Sequence, residues 1–206
     1  MTELVFLLEE SSTRAMLEGV IPRLFPEGVA VRYIVFEGKQ DLEKQMVLKL
    51  KGYLVPGAAF VVLRDQDAEE CVAVKRRLEK SCRDGGKPNA LVRIACRELE
   101  SWYLADLKAV EVGLGIEKLS DQQNKAKFRM PDRLANASEE LEKLTDDAYQ
   151  KVAGSRAIGM YLDLTNQRSP SFATLIKGLK KLVPVHPAAT GEPESDEESV
   201  DRLHER

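Results

Sequence analysis

Histidine is scarce in this chain, since only His186 and His204 occur and both lie near its end. The main body therefore lacks the residues of Ser-His-Asp triads, histidine zinc sites and histidine general bases. The three cysteines, Cys71, Cys82 and Cys96, form no CxxC pair, which favours reduced, partly buried thiols over a disulfide framework. Any chemistry must therefore rest on carboxylates, lysine and arginine, hydroxyls or tyrosine.

Long apolar runs are also absent, because no stretch approaches the roughly 18 apolar residues that a membrane helix needs. The first residues lack the basic-then-apolar order of a signal peptide, so we expect a cytoplasmic protein with no membrane partner. No GxxxxGK[ST] loop occurs, which excludes a P-loop ATPase site in this chain. Its 206 residues, 43% hydrophobic and 32% charged, are typical of a globular protein that buries a core.

Charge is distributed unevenly, although the formal net charge is only -3. Residues 192–206 hold seven acidic and two basic side chains. No core-forming pattern occurs from residue 188 onward, so we expect 188–206 to be a disordered acidic tail. The remaining body is close to neutral, which neither indicates nor excludes binding to nucleic acid.

Four short runs predict the strands of a parallel sheet. The runs are 4–8, 30–36, 60–63 and 90–95. Three of them are almost continuously apolar, as in strands covered on both faces, whereas 30–36 is typical of a half-covered or edge strand. Apolar residues at helical spacing lie between the runs, so the order β-α-β-α-β-α-β predicts a parallel α/β sheet. We therefore predict an α/β core of about four strands over 1–105 and a helical extension packed on it over 106–187.

Carboxylates follow three of the predicted strands. They are Glu9 after the first strand, Asp65, Asp67 and Glu69 after the third, and Glu98 and Glu100 after the fourth. In open parallel sheets, ligands bind beyond the carboxyl ends of the strands. Crowded carboxylates repel one another unless a cation offsets the repulsion, and oxygen ligands suit Mg²⁺ or Mn²⁺. The sequence therefore predicts a divalent metal site at this edge of the sheet.

Helix capping explains part of the same pattern. Asp67 with Glu70 fits an N-cap and capping-box pair for the third helix. Glu98 and Glu100 fit acidic residues that face water or favour a helix N-terminus. Capping accounts for one acid at each helix start and leaves the others unexplained, so the metal site is the favoured interpretation.

The combination of these motifs resembles a known superfamily. A strand that ends in Glu9, followed by the Asp-x-Asp-x-Glu element at 65–69, resembles the TOPRIM domain of topoisomerases, primases and OLD-type (overcoming lysogenization defect) nucleases. The segment Arg-Glu-Leu-Glu-Ser-Trp-Tyr-Leu at 97–104 is similar to a region of the OLD-like proteins. One departure is Glu10, which stands where TOPRIM domains usually have glycine.

Two later segments resemble one particular family within this superfamily. Gly-Ser-Arg at 154–156 and Arg-Ser-Pro-Ser-Phe at 168–172 are similar to segments of a small bacterial family of that superfamily, the domain-of-unknown-function family 4276. The resemblance extends to about Val183, and it implies a TOPRIM-like sheet flanked by helices.

The resemblance implies a Mg²⁺- or Mn²⁺-dependent nuclease that hydrolyses phosphodiester bonds. The metal ligands that it implies are Glu9, Asp65, Asp67, Glu69, Glu98 and Glu100. The catalytic residues that it implies are Glu9, Asp65, Asp67 and Glu100. In this scheme Glu9 is the general acid/base or a ligand of a second metal, and the metals activate water and stabilise the leaving oxygen.

Partners follow from the same resemblance. OLD-like relatives usually carry an ATPase domain, so a separately encoded ATPase is implied, as in antiphage defence pairs, and a homodimer is left open. Nucleic acid is the implied substrate. Candidate contacts to its phosphates are Lys125, Lys127, Arg129 and Arg133, for which a solvated surface is the alternative. The alternative function is a non-catalytic binding module for an ATPase or nucleic acid, which Glu10 favours.

Overall fold

A four-stranded parallel sheet forms the centre of the protein in a computed structural model that describes residues 3–183. The strands are β1 (Glu3–Leu8), β2 (Ala30–Val35), β3 (Ala59–Asp65) and β4 (Leu91–Ala95). Their order is β2-β1-β3-β4, and each neighbouring pair is parallel. The expected parallel α/β class is therefore confirmed. The expected acidic tail, 188–206, lies outside the described residues.

Helices alternate with the strands and then continue alone toward the C-terminal side, as the sequence indicated. They are α1 (Ser11–Leu24), α2 (Lys39–Gly52), α3 (Cys71–Asp84), α4 (Glu100–Leu104), α5 (Leu107–Leu114), α6 (Ala137–Leu144), α7 (Lys151–Gly159) and α8 (Pro170–Leu182). Short 3-10 turns lie between α5 and α6. None of the helices within 3–183 is long and apolar enough to cross a membrane.

The two central strands, β1 and β3, are covered on both faces. Their residues from Leu4 to Leu8 and from Phe60 to Arg64 are buried, as expected for nearly continuous apolar runs. Strand β2 exposes more of its surface and lies at an edge of the sheet, beside β1. Strand β4 lies at the other edge, and Leu91 and Arg93 in it are only half-buried, so the expectation of full burial for its apolar run was wrong. The apolar pattern therefore indicates the coverage of β1, β2 and β3 but not of β4.

Each face of the sheet has its own hydrophobic core. One face packs against α2 and α3 through residues such as Leu7, Met46 and Leu78. The other face packs against α1 and the C-terminal helices, and Phe6 and Trp102 belong to that cluster. The C-terminal helices therefore share a hydrophobic core with the sheet, which fixes their position relative to the strand ends.

Helices α1 and α7 touch through their backbones. A Cβ added at Gly159 of α7 would lie 2.5 Å from the Met16 carbonyl oxygen of α1. A Cβ added at Gly19 of α1 would lie 2.6 Å from the Gly159 carbonyl carbon. Glycine at both positions therefore sets the separation of these helices.

We expect Gly159→Ala to lower the free energy of unfolding by about 1–3 kcal/mol, because the new methyl group must push the two backbones apart. Gly52→Ala at the end of α2 is the matched control, since an added Cβ there meets nothing within 4 Å. The control should change the free energy of unfolding by less than about 1 kcal/mol. Urea unfolding of both variants measures the effect, and equal losses at the two positions would contradict the tight contact.

Candidate functional site

Acidic side chains from three strand ends meet at the carboxyl edge of the sheet. Glu9 follows β1, Asp65 ends β3, and Glu100 begins α4 shortly after β4. Glu9 Oε2 accepts a hydrogen bond from the Asp65 backbone N–H at 3.0 Å. Asp65 Oδ2 accepts one from the Leu99 backbone N–H at 3.2 Å, so its carboxylate points toward the segment that carries Glu100. With Glu10, these residues form what we call the acidic cluster: Glu9, Glu10, Asp65 and Glu100.

The acidic cluster disfavours its own ionisation. Burial, followed by the negative charges of Glu100, Glu10 and Glu9, raises the pKa of the Asp65 carboxyl well above its usual range. Burial is also the largest cause of the raised pKa of Glu9 and of Glu100. Carboxylates in this situation are stabilised by protonation or by a nearby cation.

Lys151 supplies one such cation from the start of α7. Its Nζ lies 2.8 Å from Glu10 Oε2, and Ser12 donates a hydrogen bond to Glu10 Oε1 at 2.9 Å. Burial lowers the pKa of Lys151, but the attraction of Glu10, Glu100 and Asp65 outweighs that effect and the pKa is raised. Sequence reasoning identified Glu10 as the departure from the TOPRIM pattern and did not identify the lysine that pairs with it.

Buried hydroxyl groups surround Glu100. Tyr149 Oη donates a hydrogen bond to Glu100 Oε1 at 2.8 Å and lies 3.2 Å from Ser155 Oγ. The hydroxyl of Tyr103, which is fully buried, makes no hydrogen bond within the described part of the chain, although Ser155 lies close to it. Burial is the largest cause of the strongly raised pKa of Tyr103. An unpartnered polar atom therefore lies inside the protein near the carboxylates.

Asp67 lies at the same sheet edge but is held by basic side chains. Its Oδ2 lies 2.8 Å from Lys39 Nζ and 3.5 Å from Arg64 Nη2. The N-cap of α3 is Glu70, whose carboxylate accepts the Val72 and Ala73 backbone N–H groups. The capping interpretation of Asp67 was therefore wrong, because Glu70 makes those contacts itself.

Glu69 is drawn away from the acidic cluster by two arginines. It lies 2.9 Å from Arg64 Nη2 and 2.7 Å from Arg77 Nη2. Hydrogen bonds from Arg77 and then Arg64 lower the pKa of its carboxyl. Arg64 is fully buried in β3 and also contacts Glu43, so it connects the start of α3 to α2. Glu69 thus belongs to an ion-pair network and is not grouped with the acidic cluster.

Glu98 has a different contact from Glu100. Its Oε2 accepts a hydrogen bond from the Ser138 backbone N–H at 2.8 Å, in the first turn of α6. Glu98 therefore contacts the N-terminus of α6, whereas the sequence interpretation concerned the helix that directly follows β4.

The four candidate nucleic-acid contacts are exposed on the turns between α5 and α6. They are Lys125, Lys127, Arg129 and Arg133. Lys127 Nζ lies 2.6 Å from Glu140, and Lys125 donates to Gln122 at 2.9 Å. Within residues 3–183 neither Arg129 nor Arg133 forms an ion pair. These two guanidinium groups are therefore the freer members of the set.

The donor chemistry of the acidic cluster fits a hard divalent cation, because all of its donors are carboxylate oxygens. In the described residues, no group of three or more His, Cys, Asp or Glu side chains is already arranged to hold a metal ion. Lys151 pairs with Glu10 of the acidic cluster, and Lys39 and Arg64 pair with Asp67 beside it. A cation would therefore have to compete with these basic groups.

A comparison with protein families identifies the chain's relatives. The model described as Domain of unknown function (DUF4276) matches residues 8–180. The chain belongs to this family. The DUF4276 match begins at the last residue of β1 and ends within α8, so it includes the acidic cluster and Lys151. No curated protein and no solved structure matches the chain, and these comparisons carry no information on TOPRIM domains or OLD-type nucleases.

Proposed function

We propose that this protein is a Mg²⁺- or Mn²⁺-dependent phosphodiesterase of the TOPRIM type that cleaves nucleic acid. The observation that supports this most is the meeting of buried Asp65 at the end of β3 with Glu9 and Glu10 after β1 and with Glu100 after β4, where burial and then these three carboxylates raise the pKa of Asp65. Gathering like charges in a partly buried place costs stability, and a bound cation offsets that cost. The resemblance to OLD-type nucleases supports the choice of phosphodiester chemistry.

Asp65, Glu9 and Glu100 are the residues that would hold the cation, with Glu10 as a further carboxylate. Once bound, Mg²⁺ or Mn²⁺ would polarise a phosphate oxygen and lower the pKa of a water molecule. The unpartnered Tyr103 hydroxyl provides a buried polar group near these carboxylates. Glu10 stands where TOPRIM domains usually have glycine, and Lys151 pairs with the charge that it adds.

Two residues have roles that their contacts suggest directly. Glu9 has a raised pKa, so it holds a proton closer to neutral pH than an exposed glutamate does and suits general acid/base work. Lys151 is a flexible point charge beside the carboxylates, and such a group binds a phosphate oxygen well. In this proposal Lys151 turns from Glu10 toward the substrate phosphate.

The proposed substrate is nucleic acid, and the proposed partner is an ATPase. Exposed Arg129 and Arg133 offer charge for a phosphate backbone, and both are unpaired within 3–183. The proposed partner is a separately encoded ATPase, because the OLD-like proteins that the chain resembles combine a nuclease with an ATPase and this chain has no P-loop.

A specific observation favours a second function. Two of the carboxylates at this sheet edge already have basic partners, since Glu10 pairs with Lys151 and Asp67 pairs with Lys39 and Arg64. In the described residues, no three acidic side chains are arranged around a metal position. A TOPRIM-like module that binds an ATPase or nucleic acid and cuts nothing would need only this partly neutralised arrangement.

Thermal melts with and without Mn²⁺ distinguish the two functions. At about 100 times the Kd, Mn²⁺ should raise the Tm of the wild type by about 5–10 °C, because it binds only the folded state. Glu9→Gln should lose most of this shift, since the amide keeps the shape but not the charge. Glu69→Gln is the matched control and should keep the shift, because Glu69 pairs with Arg64 and Arg77 instead. If Mn²⁺ does not change the Tm of the wild type, the result supports the second function, a non-catalytic binding module.

A further inference from the structure

Two of the three thiols lie side by side although they are distant in sequence. Cys71 begins α3, which follows β3, and Cys96 directly follows β4. These strands are neighbours in the sheet, and the Gln66 backbone N–H donates to the Ala95 carbonyl at 2.9 Å just beyond β3. The parallel pairing thus brings the two segments together, and Cys71 lies close enough to Cys96 to add, after burial and Asp132, to the raised pKa of the Cys96 thiol.

The two thiols also share access to solvent. Both line a groove of about 270 Å³ between α3, β4 and α8, together with Lys75, Arg93 and Thr174. Both cysteines are partly exposed, whereas Cys82 is buried in the core between α3 and the sheet. A small molecule can therefore reach this pair and cannot reach the third thiol in the folded protein.

We propose that Cys71 and Cys96 form a redox-active dithiol that a low-molecular-weight disulfide, such as glutathione disulfide, converts to an intramolecular disulfide. One cysteine loses its proton, and its thiolate attacks a sulfur of glutathione disulfide, which releases one glutathione as thiol and leaves a mixed disulfide. The second cysteine then loses its proton and attacks the protein sulfur of that mixed disulfide, which releases the second glutathione. Two protein thiols are oxidised, and one glutathione disulfide is reduced to two thiols.

The disulfide would join two segments that border the acidic cluster. Cys71 follows the loop that joins Asp65 to α3, and Cys96 begins the segment that leads to Glu100. A covalent link there restrains both loops at once. The dithiol does not depend on the proposed nuclease activity, because its argument rests on the thiol pair alone.

The test treats the folded full-length protein with glutathione disulfide, followed by unfolding, alkylation of the remaining thiols and intact-mass measurement. The wild type should lose two hydrogens, carry no glutathione and retain one alkylatable thiol, which peptide mapping should assign to Cys82. Dithiothreitol should restore all three thiols. Cys71→Ser and Cys96→Ser should each stop at a single glutathione adduct, because the resolving thiol is missing.

Cys82→Ser is the matched control, since it removes the thiol that the groove does not reach. It should form the internal disulfide as readily as the wild type, and no free thiol should remain. A wild type that keeps an unresolved glutathione adduct would overturn the proposal. A folded wild type that keeps all three thiols under conditions that oxidise a reference dithiol protein would overturn it as well.

Discussion

Asp65→Asn should reduce Mg²⁺- or Mn²⁺-dependent cleavage of nucleic acid by at least about 100-fold, because it removes a ligand charge from the centre of the acidic cluster. The amide oxygen can still accept the Leu99 backbone N–H that the carboxylate accepts at 3.2 Å, so the local fold should persist. Cleavage of labelled DNA and RNA by wild type and variant with each metal measures the loss. Asp84→Asn is the control, since Asp84 pairs with Lys80 on an exposed helix surface and should leave the rate unchanged.

The same substitution should affect stability in the opposite direction. The pKa of Asp65 is higher in the folded protein than its usual value, so its contribution to stability is complete at low pH and is lost as the pH rises through the folded pKa. Asparagine does not ionise, so the stability of Asp65→Asn relative to wild type should increase as the pH rises above about 4. Urea unfolding across this range, without metal, provides the measurement. A stability difference between variant and wild type that does not change with pH would contradict the raised pKa of Asp65.

Arg64→Met should lower the free energy of unfolding by about 3 kcal/mol or more. The Arg64 guanidinium is fully buried and binds the Asp65 carbonyl at 2.9 Å, Glu43 at 2.5 Å and Glu69 at 2.9 Å. Removing it leaves partly buried carboxylates without their main counterion, and breaking a buried pair in this way is costly.

Arg77→Met is the matched control for Arg64→Met, because Arg77 pairs with the same two acids, Glu43 and Glu69, but is more exposed. Its side chain is 42% exposed, so solvent screens the pair and its loss should cost less than about 1 kcal/mol. Denaturant unfolding of both variants compares them directly. Similar losses for the two would show that burial of Arg64 adds nothing to the ion pairs.

The sequence predicts the strands, and it predicts that Glu9 and Asp65 lie close together at the ends of two of them. Nearly continuous apolar runs indicate strands buried on both faces, and parallel strands bring their carboxyl ends to one edge. Residues that follow those ends must then lie close together, whatever the details of the loops. The fold class and the location of the acidic cluster therefore follow from local patterns and one topological rule.

The partners of each carboxylate could not be predicted in this way. The spacing of Asp65, Asp67 and Glu69 suggests three equivalent ligands, but buried Arg64 turns Glu69 toward α2 and leaves Asp65 in the acidic cluster. Lys151 reaches Glu10 from α7, and nothing in the spacing along the chain connects the two. The first pairing depends on how α2 and α3 pack beside β3, and the second depends on how α7 packs beside α1. The spacing of residues along the chain contains neither arrangement.

The backbone contact between α1 and α7 has a mechanical consequence for this ion pair. Glu10 immediately precedes α1 and Lys151 begins α7, so both charges are attached to the ends of helices that Gly19 and Gly159 hold at a fixed separation. A rigid-body movement that separated Glu10 from Lys151 would have to break the backbone contact between the two helices. Rotation of the lysine side chain about its own bonds meets no such resistance. The Lys151 side chain can therefore leave Glu10 while α1 and α7 keep their positions.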